Sequence, residues 1–147
     1  MTHAEFMAAL DKDRIVAAIA AAELRTSGEL RVHVQPKTRG GDVRTIGEKT
    51  FERLGMTATA ERNGVLLFIA SEDRAFAILG DSGIDAKVPA DFWSSISAQL
   101  TARFKSGEYT DGIVEAIAAA GEHLAAFFPR EAGDRNELPN EIDVSGD

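Results

Sequence analysis

The chain has 147 residues, is 44% hydrophobic and 27% charged, and carries a formal net charge of −8. Such a size and balance suit one soluble globular domain with a sizeable core, and the acidic charge disfavours nucleic acid, whose phosphates call for a basic face. The absence of cysteine excludes disulfides, thiolate zinc sites, iron–sulfur clusters and a cysteine nucleophile.

Residues 3–24, HAEFMAALDKDRIVAAIAAAEL, read as helix. Phe6 and Leu10, then Ile15, Ile19 and Ala22, recur at the spacing of one buried stripe. Asp11 is a capping residue type, so a break is expected near it. ELRVHVQP (29–36) alternates, with Leu30, Val32 and Val34 on one face, and predicts a strand. After the basic loop KTRGGD, residues 42–56 read as a helix with Asp42 as N-cap and Gly55 as its stop.

GVLLFIA (64–70) is a short apolar run bounded by polar turns, as expected of a central strand buried on both faces. RAFAILG (74–80) follows so closely that it predicts an antiparallel hairpin. Two amphipathic helices are expected at 90–107, opened by Pro89, and at 109–128. The stretch 129–147 turns polar and acidic, and reads as a mobile tail with Leu138 and Ile142 as docking residues. The organisation is therefore a domain over 1–128 and an acidic tail over 129–147. The start lacks the pattern of a signal peptide and no run is long enough for membrane insertion, so a cytoplasmic protein is expected.

Helix, strand, helix, strand, strand, helix, helix is an α/β order. It predicts a three-layer α/β/α sandwich around a mixed, mostly parallel central sheet with one antiparallel hairpin. In that arrangement the first two strands start, and the third ends, at one rim. Ser27, Glu29, Glu61, Asn63, Asp81 and Ser82 should meet there, with Glu108 and Asp111 reaching it from the turn between the last helices. Carboxylates plus an amide form a hard-oxygen set, suited to calcium or magnesium rather than zinc. Each of these residues is also an ordinary turn former. Glu72 and Asp73 should lie at the opposite rim, near the basic loop.

Gly80-Asp81-Ser82-Gly83 resembles the surroundings of a serine-protease nucleophile. A triad needs a histidine within reach of the serine. His3 is near the start, His123 is in the last helix, and His33 lies toward the far end of its strand. The serine also stands outside a strand-to-helix G-x-S-x-G elbow. Asp81 is the more informative residue of the four.

The stretches TSGELRVHV, RNGVLLFIASEDRAFAILGDSGI and FKSGEYTDGIVEAI resemble the TPM domain family, in its order and spacing. That family is named for a thylakoid-lumen protein, a photosystem-repair protein and a modulator of acetylcholine receptors. NELPNEI is similar to a feature of short bacterial members. The resemblance implies an α/β/α sandwich, binding of divalent cations, calcium above all, and acid phosphatase activity as in a plant member. Carried over, it implies Glu29, Asn63, Asp81 and Asp111 as metal ligands. The expected function is cation binding with a structural or assembly role. The alternatives are a metal-assisted phosphatase, with Lys37, Arg39 and Arg44 as phosphate clamps, and a metal-independent module that binds another protein.

Overall fold

The computed structural model describes residues 1–89, 91–130 and 142–144. Its elements are α1 (His3–Ala9), α2 (Lys12–Glu23), β1 (Glu29–Gln35), α3 (Val43–Arg53), β2 (Gly64–Ala70), β3 (Ala75–Gly80), α4 (Ser82–Asp85), α5 (Phe92–Lys105), α6 (Tyr109–Phe127) and β4 (Ile142–Val144). This is a mixed α/β fold. The sheet order is β3-β2-β1-β4. β1 runs parallel to β2 and β4, and β2 runs antiparallel to β3.

The first helical stretch breaks at Asp11, whose side chain accepts from the Arg14 N–H at 3.1 Å and caps α2. Asp42 caps α3 in the same way through the Thr45 N–H. Gly55 and Gly107 follow α3 and α5 at φ of 72° and 75°, a conformation that ends helices and favours glycine.

Alternation along the strands splits the core. Leu30, Val32 and Val34 of β1, with Val65, Leu67 and Ile69 of β2, face a large cluster built with α1, α2, α5 and α6. Leu66 and Phe68 face the other way, toward Phe51 and Met56 at the end of α3. β2 is buried along its whole length, as its continuous apolar run requires.

Two elements differ from the sequence reading. The GDSG stretch does not simply turn but opens the short helix α4, whose N-cap is Asp81. Ile142–Val144 adds a strand beside β1, pairing Val32 with Ile142 and Val34 with Val144. Three residues in an acidic, polar stretch carry no periodicity to announce a strand. Leu138 and the rest of the tail beyond Arg130 lie outside the described residues.

Candidate functional site: a buried polar rim

Six of the eight buried polar or charged side chains among the described residues gather at one rim: Glu23, Thr26, Glu29, Thr59, Asn63 and Asp81. Burying polar groups is costly unless they are bonded, so this concentration requires an account. The chain is laid out around the starts of β1 and β2. The Thr26 hydroxyl donates to the Phe128 carbonyl, and the Ser27 N–H donates to the same oxygen at 2.9 Å. The end of α6 is thereby tied to the start of β1.

Glu29 and Asn63 are 2% and 1% exposed, and Glu29 pairs with Gly64 in the sheet, one residue from Asn63. Asn63 donates from Nδ2 to Ser27 Oγ at 3.2 Å, and its N–H donates to Thr59 Oγ1 at 3.1 Å. Its Oδ1 is buried without a hydrogen-bond partner. Ser27 also reaches Glu61, with 3.5 Å between Oγ and Oε2.

Glu23 completes this group. It is the last residue of α2 and is 2% exposed. One carboxyl oxygen accepts from the Leu30 N–H at 2.9 Å. Burial first, then the neighbouring Glu29 carboxyl, pushes its pKa up to about 9. Glu23 therefore stays protonated at neutral pH. A protonated carboxyl donates as well as accepts, which lets Glu23 hydrogen-bond the neighbouring Glu29 carboxyl. Sequence reasoning left Glu23 out, although it continues the Ile15, Ile19 stripe at a spacing of four.

Asp81 reaches the same rim but is held by Arg62, which donates from Nε at 2.7 Å and from Nη2 at 2.9 Å. The Ser82 N–H donates to Asp81 Oδ1 at 2.7 Å. Arg62 lies 19 residues away from Asp81, and no local pattern announces such a pair. Close packing fixes the joint further. A Cβ on Gly83 would stand 2.0 Å from the Glu61 carbonyl oxygen.

Asp111 does not join the rim. It sits in the first turn of α6 and pairs with Arg14 at 3.1 Å, beside the start of α2. α6 rises about 1.5 Å per residue, so Asp111 lies roughly 25 Å along the axis from Phe128. Glu108 is likewise elsewhere, bonded to Arg103 at 2.8 Å. The expected meeting of these two acids with Glu29 fails because α6 ends, rather than starts, at this rim. Among the described residues no group of three or more acidic or histidine side chains converges.

The opposite rim is arranged as its strand directions predict. The Thr38 N–H donates to Asp73 at 2.8 Å, and Lys37 approaches Glu72 at 4.0 Å. The histidines are engaged away from Ser82. His3 bonds Ser71 at 2.8 Å, His33 is stacked on Phe68, and His123 meets the ring of Phe92 edge-on.

No helix among the described residues is long and apolar enough to cross a membrane. A search of the curated proteins found no match. Among solved structures, the chain is similar to the NMR structure of the BA42 protein from the psychrophilic bacterium Bizionia argentinensis. The two are 40% identical with a TM-score of 0.86, over 91% of this chain and 92% of that one. The family model of the TPM domain matches residues 1–123, and the chain belongs to the TPM domain family.

Proposed function

We propose that the protein binds a divalent cation, calcium or magnesium, at the β1–β2 rim, in a structural or assembly role. Glu29 and Asn63 are the ligands kept from the expected set, Glu23 joins them only where it gives up its proton, and Asp81 and Asp111 drop out. The observation that carries this reading is the Asn63 Oδ1, a buried acceptor with no hydrogen-bond partner at the same rim that buries Glu29. An unsatisfied buried acceptor costs about 1–3 kcal/mol, a cost that coordination removes. The donors are all hard oxygens, which suits calcium or magnesium. Few protein ligands leave several coordination positions to water, so modest affinity is expected. We also read the helices packed on the two sheet faces as the outer layers of an α/β/α sandwich.

Calcium titration by calorimetry tests the reading. Heat from the parent protein, lost in Glu29→Gln and weakened in Asn63→Ala, supports it. Parent protein that gives no heat, or variants that bind as the parent does, contradict it. The hydrolytic alternative has a geometric difficulty, because Lys37 and Arg39 lie in the loop after β1 and Arg44 in the first turn of α3, at the opposite rim. Hydrolysis of p-nitrophenyl phosphate that disappears in Glu29→Gln would favour that alternative instead.

A further inference from the structure

The far rim holds a cleft of about 600 Å³ between the turn joining β2 to β3 and the junction of α5 with α6. That volume falls within the usual range of small-molecule sites, about 300–1,000 Å³. Its wall is aromatic. Phe104 stands 6.1 Å from Phe6, 5.9 Å from Phe76 and 5.4 Å from Tyr109, in edge-on contacts. Phe6 is buried, whereas Phe76, Phe104 and Tyr109 keep part of their surface exposed. Partly exposed rings in a cleft leave some apolar area for a ligand to cover.

Two cations line the same cleft, Arg74 and Lys105. Among the described residues neither forms an ion pair, although the protein has an excess of acids. The acids nearest in sequence are committed elsewhere. Glu72 accepts from the His3 N–H, Asp73 accepts from Thr38, and Glu108 is bonded to Arg103. Arg74 also sits at φ 53°, where glycine is the less strained residue. An acidic protein thus presents two uncompensated positive charges beside a partly exposed aromatic wall.

We propose that this cleft binds a small amphiphilic organic anion. Its apolar body lies against Phe76, Phe104 and Tyr109, and its carboxylate or phosphate head is held by Arg74 and Lys105. The site is independent of the cation reading. β2 separates the two rims, and its seven residues span about 20 Å.

The test is an NMR titration of the full chain with octanoate, followed on the ring signals of Phe76, Phe104 and Tyr109. Octanol and inorganic phosphate serve as the body alone and the head alone. Saturable shifts of these rings with octanoate are expected, with much weaker effects from either half. Arg74→Gln and Lys105→Gln lie on the surface and leave the fold intact. Each should weaken octanoate binding by about fivefold, the size of a partly exposed charge interaction. Ring signals that stay still would overturn the proposal. So would octanol binding as well as octanoate, phosphate alone matching it, or both charge variants binding like the parent.

Discussion

At the rim, the same hydrogen-bonding chemistry serves two different purposes at Asn63 and Asp81. Asp81 is fully used as an N-cap and as the bidentate partner of Arg62. Asp81→Asn should therefore leave calcium binding unchanged while destabilising the protein by about 1–2 kcal/mol, measured by urea unfolding. A loss of calcium heat in that variant would return Asp81 to the ligand set. Glu23 gives a pH signature. Its proton is held up to about 9 in the fold and released near 4.5 when the chain unfolds. Between those values the folded state binds more protons, so this group's contribution to stability is complete below the lower value and lost as pH rises through the upper one. Glu23→Gln, neutral throughout, should gain stability relative to the parent as pH rises across that window. With a chelator present, its melting temperature should exceed the parent's by about 3 °C at alkaline pH. A constant difference across the window would refute the assignment. Gly83→Ala should cost about 2–3 kcal/mol, because the added methyl meets a backbone carbonyl rather than a flexible side chain.

At the scale of elements, periodicity and punctuation made most of the fold legible. The break at Asp11, the buried run of β2 and the hairpin into β3 each follow from a few named residues. α4 was not legible because four residues are too few to show a helical period. β4 was not legible because its pairing with β1 is purely tertiary. Asp111 was misplaced for a different reason. Strand directions order the loops of a sheet, but they leave open which end of a long helix returns to a given rim. Here the bonds from Thr26 and Ser27 to Phe128 settle that question. β4 covers one edge of β1, so a chain ending at Arg130 leaves that edge bare. Such a truncation should lower stability by about 1–2 kcal/mol, read as a lower melting temperature in a calorimeter, with increased self-association. Unchanged melting would mean that β4 contributes little.

Across the whole molecule, the sheet separates two polar environments of opposite character. One rim buries carboxyls and an open amide oxygen, while the other exposes uncompensated cations beside aromatic rings. A cation held at the first rim links the start of β1, the start of β2 and the end of α2. It should therefore stabilise the fold as a unit, with a melting temperature that rises with calcium concentration. Because Glu23 holds a proton there, binding should tighten from neutral toward alkaline pH. The most direct measurement is a calcium titration followed by NMR with every backbone amide and the Asn63 side-chain amide assigned. Saturable shifts centred on Glu29, Leu30 and Asn63, with Arg14 and Asp111 unmoved, are the expected result. Shifts centred on Asp111 or on the far rim, or no saturable shift at all, would contradict the cation site at Glu29 and Asn63.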